Sequence, residues 1–172
     1  MILVESDLSG EWDSCSDWPA VADRAVKAAV AASSFRALLD SKSEFEVSVR
    51  FASDQEVRAL NAQWRAKDNA TNVLSFPMIE SEPLRTMARA PGGEALLGDV
   101  VLAHGICSRE AAEKGIEVET HAAHLIVHGM LHLLGYDHEN GEEEADAMEE
   151  TERRALASIG IADPYPAQEV QS

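Results

Sequence analysis

Apolar and polar residues alternate along 45–51 (FEVSVRF), the period of a strand whose buried face carries Phe45, Val47, Val49 and Phe51. Ser53 follows at a helix start, Glu56 completes a capping box with it, and the spacing predicts a helix through Trp64. Three further apolar runs read as strands: residues 2–5, residues 71–76 (TNVLSF) stopped by Pro77, and residues 96–103 (LLGDVVLA). Helical spacing covers 18–39, opened by Asp17 as a cap and Pro19 in the first turn, then 106–114 ended by Gly115, 117–134 and 142–159. Residues 78–97 hold Pro83, Pro91, Gly92 and Gly93 and are expected to form a long irregular loop, and 161–172 a flexible tail. Strands alternating with helices predict an α/β (α+β) fold, a single domain over 1–160 with a small mixed central sheet flanked by helices.

The segment 117–134 differs from the other helices. Its apolar residues cover nearly the whole circumference, which marks a buried helix. The polar interruption is a stripe: His121, His124, His128 and His132 fall within about 80° of one another on a 3.6-residue repeat. Burying imidazoles without partners costs about 1–3 kcal/mol each, so something must satisfy them. A metal ion does so directly, because a neutral imidazole presents one ring nitrogen as a ligand.

His128 and His132 are one turn apart and can share an ion. Gly135 falls where the helix should end, able to take a left-handed conformation that brings His138 back as a third ligand. Three protein ligands with an open position describe catalytic zinc, here on a buried helix and the turn after it. A lone histidine on such a face is more often a hydrogen-bonded core residue, but the order HxxxHxxGxxH is not explained that way. His124 is a candidate brace or alternative ligand, His121 is expected to be solvated, and His104 has no assignment. Asp137 either orients a ligating imidazole or is an ordinary turn residue.

Zinc peptidases place a glutamate after the first histidine as general base, and here that position is Gly129. A peptidase lacking that glutamate is the weaker reading. Gly129 is instead expected to leave room beside the metal for a bulky phosphodiester. Phosphodiester hydrolysis asks for a cation facing the phosphate, and Arg matches phosphate oxygens best. Arg65, between a predicted helix and the strand at 71–76, is the candidate by position, although a solvated surface Arg would look the same.

Charge sharpens this choice. The net charge is −17, which argues against capturing a polyanion by electrostatics alone. Much of the acid lies in 139–152 (ENGEEEADAMEETE), read as a solvated helix face, whereas 50–89 sets Arg50, Arg58, Arg65, Lys67, Arg85 and Arg89 against Asp54, Glu56, Asp68, Glu80 and Glu82, a weak anion-facing signal. The 172 residues suit one domain, and two cysteines (Cys15 and Cys107) are too few for a disulfide framework, so a reducing cytoplasm is expected. The N-terminus does not read as a signal peptide, and no apolar run is long enough to predict a membrane span.

Together HGMLHLLGYDH, the upstream LNAQWRAKDNATNVLSFP and the intervening LLGDVVLA resemble the YbeY family of metal-dependent endoribonucleases and ribosomal RNA maturation factors. The resemblance runs from about residue 45 to 159, with three separated motifs in order. It implies one zinc per chain on His128, His132 and His138, and Arg65 as the phosphate-facing catalytic residue. It further implies cleavage of single-stranded RNA in 16S rRNA 3′-end maturation and in late-stage 70S ribosome quality control. Ribosomal proteins or a ribosome-associated GTPase become expected partners. A ribosome-assembly binding module with a structural metal is a third reading of the same residues.

Overall fold

Strands β1 (Ile2–Leu8), β2 (Glu44–Ala52), β3 (Val73–Pro77) and β4 (Glu94–Ala103) form one sheet in the order β1-β2-β4-β3. The computed structural model describes residues 1–12, 16–137 and 141–165. β1, β2 and β4 run parallel, and β3 runs antiparallel on the edge beside β4, so the sheet is mixed as the sequence predicts. Alternation along each strand sorts the side chains between two faces. Phe45, Val47, Val49 and Phe51 of β2 and Val100 and Leu102 of β4 enter the main core, while Ala52, Leu74, Val101 and Ala103 form a smaller cluster on the opposite face.

Among the described residues six α-helices accompany the strands: α1 (Trp18–Ala32), α2 (Asp54–Arg65), α3 (Ser81–Ala88), α4 (His104–Lys114), α5 (Val118–Leu133) and α6 (Glu142–Ser158). α5 packs against α1, α6 and the β3–β4 side of the sheet, and α2 and α4 cover the other face through Val57, Leu60 and Ile106. The predicted caps form: the Asp17 carboxylate accepts from Ala20 N–H at 3.2 Å, and Ser53 and Glu56 make the capping box.

Two expectations are corrected. The helix expected over 18–39 stops at Ala32, followed by a short 3₁₀ turn at Arg36–Leu39. The Ser33 hydroxyl donates to the Val30 carbonyl (2.7 Å) and accepts from Phe35 N–H (3.0 Å), a local turn that competes with helix propagation. The loop expected over 78–97 contains α3 and the start of β4. Pro83 is in the first turn of α3, where its missing N–H would have had no intrahelical partner. No helix among the described residues is long and apolar enough to cross a membrane.

Candidate metal centre

α5 reaches the sheet closely because of one residue. A Cβ at Gly129 would stand 2.8 Å from Val100 Cγ1 and 3.1 Å from Ser75 Oγ, and the Ser75 hydroxyl donates to the Gly129 carbonyl at 3.2 Å. The space beside Gly129 is therefore filled by β3 and β4. It is not room for substrate, which corrects the expectation from sequence, and a glutamate could not be housed there. Gly129→Ala is expected to destabilise the fold by about 1–3 kcal/mol through overpacking, read as a lower midpoint in thermal unfolding. A midpoint equal to the parent's would show that α5 does not rest on the sheet at this point.

Around that contact the helix presents imidazoles, His128 just before Gly129 and His132 three residues after it. His128 and His132 bring their Nε2 atoms to 3.1 Å of each other, rings nearly perpendicular. On the far side of each ring the Nδ1–H is committed: His128 donates to Glu152 Oε1 at 2.6 Å and His132 to the Tyr136 carbonyl at 2.9 Å. Both rings are thereby held in the tautomer whose Nε2 carries the lone pair. Two such nitrogens turned toward one another suit a cation between them, and a tetrahedral zinc with bonds of 2.0–2.1 Å would separate its ligands by about 3.3 Å. The residues fit the ion. Gly135, at φ 100°, ends the helix as expected, with its Cβ position filled by Ser81 Oγ. His138, the third ligand expected from sequence, lies outside the described residues.

Glu152 organises the back of the centre. It is 1% exposed although it belongs to the acidic segment expected to be a solvated face. Its Oε1 accepts from His128, and its Oε2 accepts from His124 Nε2–H at 3.2 Å and from the Tyr165 hydroxyl at 2.6 Å. Burial pushes this carboxyl up, but the hydrogen bonds from His124, His128 and Tyr165 outweigh it and hold the pKa at about 2. The stripe Met148, Glu152, Ala155 and Leu156 on α6 was the available signal, since it places Glu152 among buried apolar neighbours at helical spacing. His124 thus braces Glu152. Asp163 and Tyr165, in the segment expected to fray, pair with Arg153 and Glu152; residues 166–172 lie outside the described residues.

His121 corrects another expectation. It is 2% exposed, and its Nε2–H donates to Glu110 Oε1 of α4 at 2.8 Å. Burial lowers its pKa despite that carboxylate. Glu110 also accepts from Asn72 Nδ2–H at 3.1 Å, which ties the start of β3 to α4 and gives Asn72 a structural role. His104 packs edge-on against Trp12, remote from the paired imidazoles in its contacts. The Cys107 thiol is buried and pushed up to about 12 by burial and by Glu110, so it is no nucleophile. Cys15 lies outside the described residues.

His128 and His132 open onto a cleft of about 750 Å³ lined also by Trp64, Arg65, Thr71, Asn72, Ser75 and Asp137. Arg65 therefore stands on the wall facing the histidines' cleft, at the exposed end of α2, where Ala66 turns the chain at a left-handed φ of 56°. Asp137 lines the same cleft, and the Nδ1–H groups of His128 and His132 are held by Glu152 and the Tyr136 carbonyl.

The fold and cleft define a class: small α/β proteins with paired histidines on a buried helix facing an open polar cavity. A family model described as Endoribonuclease YbeY matches residues 15–160. Curated relatives named Endoribonuclease YbeY include one from Novosphingobium aromaticivorans, 54% identical with 95% of both chains covered, and one from Rhizorhabdus wittichii, 51% identical with 96% of this chain and 97% of the relative covered. The chain belongs to the endoribonuclease YbeY family. The solution structure of TM1509 from Thermotoga maritima shares the fold at a TM-score of 0.52 and 21% identity, with 91% of each chain covered.

Proposed function

We propose that this chain is a zinc-dependent endoribonuclease acting on single-stranded RNA, in one domain over 1–160, with one zinc held by His128, His132 and His138. The observation that carries the reading is the 3.1 Å approach of two imidazole nitrogens at the floor of a cleft whose wall holds Arg65. When bound, zinc polarises a phosphoryl oxygen and makes a water acidic enough to attack at neutral pH. The chain supplies the rest. Glu152 and the Tyr136 carbonyl hold the Nδ1 protons and so fix both imidazoles for metal binding. The Arg65 guanidinium meets the phosphate and stabilises charge that develops on it.

The cellular setting we infer is the family's: 16S rRNA 3′-end maturation and late-stage 70S ribosome quality control in the cytoplasm. Ribosomal proteins or a ribosome-associated GTPase are the partners. Docking on such a partner suits a chain of net charge −17, which gains little from bulk attraction to RNA.

Arg65→Glu tests the assignment. Cleavage of a single-stranded oligoribonucleotide should fall about 10²- to 10³-fold while zinc content stays near one per chain. Normal cleavage by this variant would remove Arg65 from the reaction. Chelator-sensitive release of peptides from casein, with no RNA cleavage, would favour a peptidase, although the filled space at Gly129 leaves that chemistry without its usual base.

A further inference from the structure

α2 buries one stripe of side chains. Val57 and Asn61 are buried, and Leu60 is half-buried in the small cluster with Leu74 and Val101. Trp64 is the next residue of that stripe, at i+3 from Asn61 and i+4 from Leu60. Helical periodicity directs it inward, yet the indole is 65% exposed on the wall of the cleft that Arg65, His128 and His132 also line. The other tryptophans behave as core residues: Trp12 and Trp18 are 4% and 2% exposed and meet edge-on at 4.9 Å. Trp64 is thus a large apolar ring left facing an open polar cavity, with a guanidinium as its chain neighbour.

Charge indicates what the ring is for. With a net charge of −17, the chain obtains little affinity for a polyanion from counterion release. Contacts that do not depend on charge must hold the strand in the cleft. Stacking is such a contact, and it tolerates any sequence because every base has a π face. It also demands an unpaired base, since bases in a duplex already spend their faces on each other.

We propose that Trp64 is a nucleobase-stacking subsite. One unpaired base lies flat on the indole while the neighbouring phosphate faces Arg65 and the histidine floor. The proposal rests on the reading of the cleft as an RNA-cleaving site and adds to it the origin of its preference for single strands.

Because Trp12 and Trp18 are buried, quenching by ligand reports on Trp64. The zinc-loaded full chain is mixed rapidly, before turnover, with hexaadenylate RNA, an abasic strand of equal length, or a duplex. Hexaadenylate should quench the exposed fluorescence, and the other two should not. Trp64→Ala should weaken hexaadenylate binding about 10- to 100-fold, leaving zinc content and abasic-strand binding unchanged. Trp64→Phe should restore most of the affinity. Cleavage by the parent without quenching, or equal hexaadenylate binding by parent and Trp64→Ala, overturns the subsite and leaves the endoribonuclease standing. Equal losses on hexaadenylate and abasic strands would also overturn it, marking Trp64 as structural. A zinc-loaded parent that neither binds nor cuts RNA overturns the reading of the cleft itself.

Discussion

His132→Ala, purified without chelator, is expected to carry almost no zinc and to cut single-stranded RNA at least about 10³-fold more slowly than the parent. The expectation follows from where the ring stands. Its Nδ1–H is fixed on the Tyr136 carbonyl at 2.9 Å, and its Nε2 is 3.1 Å from that of His128, so alanine removes one of the two nitrogens that converge on the cleft. The fold should survive. Alanine favours helix, the surrounding apolar packing of α5 is untouched, and the lost hydrogen bond contributes about 1 kcal/mol. Circular dichroism close to the parent's, with absent metal and absent cleavage, separates a ligand from a merely structural residue. Near-stoichiometric zinc in the variant would remove His132 from the ligand set.

Replacing Glu152 should be nearly as damaging by a different route. This carboxylate takes three donors, His124, His128 and the Tyr165 hydroxyl, at a site 1% exposed. Glu152→Gln keeps the shape but offers one acceptor oxygen where three donors converge, leaving buried N–H or O–H groups opposed. The expected cost is about 3–5 kcal/mol of stability, with zinc affinity reduced about 10- to 100-fold because His128 loses its orienting partner.

Acid adds a second test. The carboxyl has its pKa held at about 2 against an ordinary 4.5, so its ionised form stabilises the fold by about 3 kcal/mol. That contribution is present above about pH 4.5 and is lost as pH falls toward 2. Urea unfolding of the chelated protein at pH 6 and pH 3 should show this loss in the parent and not in Glu152→Gln. Parallel losses in both proteins would assign the acid sensitivity to other groups.

The difference between reading α5 and reading the rest of the centre is one of range. Helical period, the all-round apolar composition of α5 and the glycine at 135 are local properties, and the structure begins and ends that helix within one residue of the expectation. The strands were legible for the same reason, through alternation in FEVSVRF and the apolar run LLGDVVLA. Partners from other elements were not. His121 was expected in solvent from its place near the helix start, and Glu110, which accepts from it, is on α4. Glu152 lay hidden in a run of acid whose other described members are exposed or half-buried, although its position beside Met148 and Ala155 betrayed it. Gly129 was read as an empty place because its occupants, Val100 and Ser75, arrive from two strands. α3 was missed because Pro83 resembles a breaker until its place in the first turn is known.

The two sides of the cleft are anchored differently. His128 and His132 stand on α5, enclosed between α1 and the sheet, the kind of packing that opens only with much of the fold. Trp64 and Arg65 stand on the final exposed turn of α2, closed by Ala66 in a left-handed conformation that costs a residue with a Cβ about 1–2 kcal/mol. One jaw is therefore built into the core and the other lies at an exposed helix end. On the proposed reaction, strands of differing sequence would be accommodated at the end of α2, while the reacting phosphate would meet a floor that keeps its geometry from one substrate to the next.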